Sequence, residues 1–132
     1  FALGGQEPNA RILLDILFAK TSPHSLRIPR TVFEEVKHNL YGEALREFIE
    51  LLLSAHIPID EDTLVTFELG AKYEAMGFKP ADALIAAYAE YISADILVSE
   101  NRHFLSCHAN LPFKIYSAGA CLKLLRTTFR QQ

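Results

Sequence analysis

"KPADALIAAYAEYISADILVSEN", residues 79–101, holds the two elements whose succession decides the fold. Pro80 has no amide hydrogen to donate, which suits the first turn of a helix, and the residues after it are nearly all apolar up to residue 93. DILVS (95–99) is continuously apolar and partly β-branched, the pattern of a strand buried on both faces of a sheet. A single acid, Asp82, stands in the first turn of that helix, and the strand gives way to the polar group Ser99, Glu100 and Asn101. Either these residues punctuate a helix and a strand, or they are delivered to one place for chemistry.

Working outward, helical spacing recurs at 11–20, 31–40, 42–55, 62–77 and 118–129, and short strands are predicted at 25–28, 56–59 and 112–117. Pro29 is expected to stop the strand at 25–28, Asp62 to cap the helix over 62–77 and Gly77 to end it. Strands alternating with helices predict an α/β domain, a three-layer α/β/α sandwich with helices on both sides of a central parallel sheet. The chain opens with a loop and a helix, whereas a right-handed crossover needs a strand at each end. A first strand is therefore expected upstream of Phe1.

Composition narrows the classes. With 132 residues and no shift of composition, the expectation is one domain over 1–132, lacking its first strand. No apolar stretch reaches the roughly 18 uncharged residues that a membrane span needs, and FALGGQEPNA has neither the basic region nor the apolar core of a secretory signal. Two cysteines, Cys107 and Cys121, are too few for a disulfide framework and fit the cytoplasm. A net charge of −3 excludes a surface coated in lysines, so a phosphate partner would be held locally, by a few cations or a metal.

In a parallel sheet flanked by helices, helix N-termini gather at the edge where strands end. Asp82, in a first helical turn, and Ser99, Glu100 and Asn101, after a strand, therefore belong to one edge. Glu34 and Glu35, in the second turn of the helix after SLRI, are expected at the same edge. Each feature also has a plain reading. Asp82 offsets a helix dipole, Glu34 and Glu35 are solvated helix glutamates, and Asn101 caps the segment NRHFLS.

PADALIAA, ILVSENRHF and IPRTVFEEV together resemble the PIN domain, the fold of metal-dependent ribonucleases that includes toxins of toxin–antitoxin pairs. The resemblance implies that Asp82 is a metal-binding aspartate, that Ser99 and Asn101 stand at the family's hydroxyl and fourth acidic positions, and that Glu35 rather than Glu34 is its glutamate. FALGGQEP resembles the loop after the family's first strand, so the aspartate ending that strand is expected upstream. Asn101 is a departure, since a neutral amide stands where the family has an acid.

The implied function is hydrolysis of RNA phosphodiester bonds with Mg²⁺ or Mn²⁺. Oxygen ligands without a cysteine or histidine cluster favour those ions over zinc. Glu35, Asp82 and Asn101 are the expected ligands, with Ser99 hydrogen-bonding behind them. Arg30, Lys79 and Arg102, each near one of these residues in sequence, are candidates for RNA phosphates or simply solvated cations. The resemblance further implies a homodimer and an antitoxin protein as partners. A non-catalytic PIN-like scaffold that binds RNA or a protein is the alternative, and an unrelated doubly wound binding domain a third. His103, Cys107 and His108 crowd together without a fourth zinc ligand at a recognisable spacing. Cys121 reads as core, and the aromatics Phe67, Tyr73, Tyr88 and Tyr91 as packing rather than base-stacking platforms.

Overall fold

Pro29 ends a two-residue strand, β1 (Ile28–Pro29), and is also the N-cap of the helix behind it, α1 (Arg30–Asn39). Proline cannot donate to a ladder, but its fixed φ, here −74° with ψ 151°, fits both the last extended residue and the entry to a helix. The strand therefore includes the proline expected to stop it. The computed structural model of the chain describes residues 25–61, 65–107 and 109–130. The helix predicted over 11–20, the strand expected upstream, Asp62 and His108 lie outside those residues.

The described residues form two compact units, one holding those up to Asp60 and from Leu122 onward, the other Glu61–Cys121. In the first, α1 is followed by α2 (Gly42–Ser54) and by β2 (Ile59–Asp60), which pairs with β1 in parallel. Ile28 donates its amide to the Pro58 carbonyl at 3.2 Å, and the Arg27 guanidinium bonds Asp60 at 2.8 Å. The strand predicted at 56–59 begins later, because His56 has φ 54°, a left-handed conformation that no strand accommodates.

The second unit opens with α3 (Phe67–Ala75) and α4 (Pro80–Tyr91). Thr66 caps α3, its hydroxyl accepting from the Leu69 amide at 3.3 Å, so the helix starts five residues later than the sequence predicts. Then come β3 (Ile96–Val98), the four-residue helix α5 (Arg102–Leu105) and β4 (Lys114–Tyr116). β3 and β4 pair in parallel with Ile96 opposite Lys114, Leu97 opposite Ile115 and Val98 opposite Tyr116. The last helix, α6 (Ala118–Arg130), starts in this unit and runs into the residues of the first. The outcome is α/β with parallel strand pairing; each described pair is two strands wide, and the central sheet between two helical layers is not among the described features.

Small residues make the core of the second unit. Ala83, Ala86, Ala87 and Ala89 on α4 are buried with Tyr73, Phe104 and Phe113. Alanines let neighbouring backbones approach, and the aromatic rings fill the space above them, with centroids 5.2 Å apart for Phe78 and Phe104 and 6.3 Å for Tyr73 and Phe113. β3 is less enclosed than its sequence implies: Ile96 and Leu97 are half-buried and Val98 is 40% exposed. Tyr73 and Tyr88 are buried, as packing aromatics should be, but Phe67 is 86% exposed and does not pack, and Tyr91, at 48%, is only half covered. No described helix is long and apolar enough to cross a membrane.

Candidate functional site

The residues just past β3 form a tight hydroxyl-backed turn. The Ser99 amide extends the parallel ladder by donating to the Tyr116 carbonyl at 3.0 Å, while its hydroxyl accepts from the Asn101 amide at 3.1 Å. A turn of this kind releases the chain from the strand and aims the residue two places on. Asn101 then caps α5, its Oδ1 accepting from the His103 amide at 2.9 Å. Between them, Glu100 turns the other way. Its Oε1 accepts the Ala118 amide at 2.7 Å, satisfying a free donor in the first turn of α6, where Ser117 also accepts from Ala120 at 3.1 Å.

Asp82 comes to the same place from α4. It is the third residue of a helix that begins with Pro80, so its carboxylate lies at the helix's positive end. Asn101 Nδ2 lies 3.3 Å from Asp82 Oδ1 and 3.4 Å from Oδ2, one amide donor shared across both oxygens. Asp82, Ser99 and Asn101 are half-buried. No described lysine, arginine or histidine pairs with the Asp82 carboxylate. Lys79, at the N-cap of α4, and Arg102, the first residue of α5, are exposed in the same unit.

Glu35 and Arg30 belong to the first unit. Glu35 is exposed on α1, and its carbonyl accepts from the Asn39 amide side chain at 2.9 Å. Neighbouring Glu34 is 3.8 Å from Arg30 and 3.5 Å from Lys37, an ion-paired helix surface as the plain reading has it. Arg30 also stands over the Phe33 ring at 5.5 Å, so its guanidinium is engaged within its own helix.

For a hard divalent ion, the second unit offers the Asp82 carboxylate, with the charge and oxygen chemistry such an ion prefers. Asn101 turns its N–H₂ to Asp82 and its oxygen to the His103 amide, so the atom nearest the carboxylate is a donor and not the oxygen that the expected ligand role would use. Among the described residues no three His, Cys, Asp or Glu side chains are grouped to hold a metal.

A polar cluster that sequence reasoning missed lies against the same core. The Tyr73 hydroxyl donates to Glu90 Oε1 at 2.9 Å, and Lys72 Nζ reaches that oxygen at 2.6 Å. Burial pushes the Tyr73 phenol far above its ordinary value, and the Glu90 charge pushes the same way. Lys72 holds Glu90 below the usual carboxylate range, against the effect of burial. The available signal was one glutamate in the otherwise apolar run ALIAAYAEY. Cys121 is buried, which raises its thiol, in keeping with a core residue.

The sequence profile of the PIN domain family matches residues 1–107. No curated protein and no solved structure matches the chain.

Proposed function

Since the chain belongs to the PIN domain family, whose members are typically nucleases that use divalent ions, we propose that it is a Mg²⁺- or Mn²⁺-dependent endoribonuclease, the toxin of a toxin–antitoxin pair. The observation that carries this reading is Asp82, a half-buried carboxylate at a helix N-terminus beside the end of a parallel strand, with no described cationic partner. Strand ends meeting helix N-termini are where α/β folds place their ligands.

In this reading Asp82 is the principal metal ligand, and Glu35 is kept as a second carboxylate on the strength of the family resemblance. The ion would polarise the phosphodiester and lower the pKa of a bound water. Ser99 shapes the turn that brings Asn101 to Asp82, and Lys79 and Arg102 orient the RNA by its flanking phosphates. A single domain with one central sheet between two helical layers, a homodimer, an antitoxin partner and a cytoplasmic setting are parts of the same proposal.

Replacing Asp82 with asparagine keeps the shape and removes the charge. D82N should lower Mn²⁺-dependent cleavage of single-stranded RNA by about a hundredfold or more, and should relieve growth arrest on expression. Cleavage that survives the change rules the reading out. The neutral Asn101 favours a second reading, a non-catalytic scaffold that binds RNA or a protein. A chain that binds RNA but takes up neither Mg²⁺ nor Mn²⁺ is the outcome that selects it.

A further inference from the structure

From the geometry around Asn101 we infer that this residue is a positioning residue for Asp82 and not a metal ligand: its N–H₂ holds the carboxylate while its oxygen holds the chain. The inference rests on the reading of Asp82 as the cation-binding carboxylate and assigns its neighbour a role within that site. The orientation of the amide follows from chemistry. The His103 backbone N–H can only donate, so the Asn101 atom 2.9 Å from it must be the oxygen, and the nitrogen is left facing Asp82.

The rest of Asn101 is equally committed. Its backbone amide donates to Ser99 Oγ at 3.1 Å, and its carbonyl accepts from Phe104 at 3.1 Å and Leu105 at 3.0 Å. The oxygen keeps a second lone pair beside the His103 bond, but the atom turned to Asp82 is the N–H₂, so a cation held by that carboxylate meets a donor on this side and not the amide oxygen. The contacts to Asp82 have the opposite character. At 3.3 and 3.4 Å they are long and shared between two oxygens, so the amide steers the carboxylate without occupying its lone pairs fully. A cation can approach Asp82 while Asn101 stays in place. A neutral amide at this position thus orients a lone carboxylate, where an acid would repel it.

Three roles for Asn101 can be separated by titrating the full chain with Mg²⁺ alone and monitoring it by NMR. In the unaltered chain, the Asp82 carboxyl carbon should shift with Mg²⁺ while the Asn101 side-chain carbonyl carbon stays in place and the His103 amide keeps its protection. In N101S the serine hydroxyl still caps α5, so His103 should remain protected, yet Mg²⁺ affinity should fall about tenfold because the carboxylate is no longer steered. An Asn101 side-chain carbonyl carbon that shifts with Mg²⁺ in step with Asp82 would make the Asn101 oxygen a ligand and overturn the inference. N101S binding Mg²⁺ as the unaltered chain does would reduce Asn101 to a helix cap, and overturns it too. In both cases a responsive Asp82 leaves the proposed function standing. An Asp82 carboxyl carbon indifferent to Mg²⁺ removes the metal reading itself, and this inference with it.

Discussion

Tyr73 is fully buried, and its hydroxyl has one way to remain satisfied: donation to Glu90, which Lys72 also engages. The Lys72–Glu90 pair is itself half open to water, with Lys72 51% and Glu90 23% exposed, so as an ion pair it contributes only about 0–1 kcal/mol. The buried phenol matters more. Y73F removes a hydrogen bond to a charged acceptor and should cost about 1–2 kcal/mol, measurable by urea unfolding. The pH dependence has a definite sign on each side. Glu90 is lowered in the folded state, so its contribution is present above the ordinary carboxylate range and is lost as pH falls below it. Tyr73 is raised, so its contribution is present up to the ordinary tyrosine range, near pH 10, and is lost as pH climbs further. Stability measured against pH should form a plateau between these limits, and Y73F should flatten its alkaline shoulder. An unchanged shoulder would mean that other groups control alkaline unfolding.

Three helices end in the same way. After α2, His56 and Ile57 donate to the Leu53 and Leu52 carbonyls; after α3, Gly77 and Phe78 donate to Glu74 and Tyr73; after α4, Ser93 and Ala94 donate to Glu90 and Ala89. Each is a Schellman motif, whose pivot residue must be left-handed, and the pivots have φ of 54°, 102° and 56°. Only Gly77 adopts that conformation without steric cost; for an L side chain it costs about 1–2 kcal/mol. S93G should therefore stabilise the chain by about 0.5–1 kcal/mol after the extra entropy of an unfolded glycine is deducted, and thermal unfolding would register it. The motif also explains how much of the fold was legible. Helix existence came from periodicity, and the α3 stop came from Gly77. The delayed start of β2 did not, because nothing in a histidine announces a left-handed turn. The α3 start was misplaced because Thr66, not the acid upstream, supplies the cap.

For the whole molecule, a charge of −3 limits how nucleic acid can be held. If Lys79 and Arg102 are the phosphate contacts of the second unit, R102E should weaken RNA binding and flatten the slope of log affinity against log salt by about 0.7 or more. No change in that slope would return Arg102 to the solvated surface. The candidate site was legible to the extent that topology dictates it. A helix start and a strand end share an edge, and Asp82 and Asn101 do meet. What the sequence withheld was the direction of the amide, which depends on a 2.9 Å cap to His103 and not on residue type. Nor did it reveal that Glu100 serves the first turn of α6, a role set by how closely β4 returns beside β3. The Tyr73–Glu90 contact has one more consequence, an optical one. The chain has no tryptophan, so its ultraviolet emission comes from its five tyrosines. A phenol that donates to a carboxylate is quenched, and Tyr73 is so placed. Denaturation should therefore brighten the protein rather than dim it, giving a label-free signal that reports on this core.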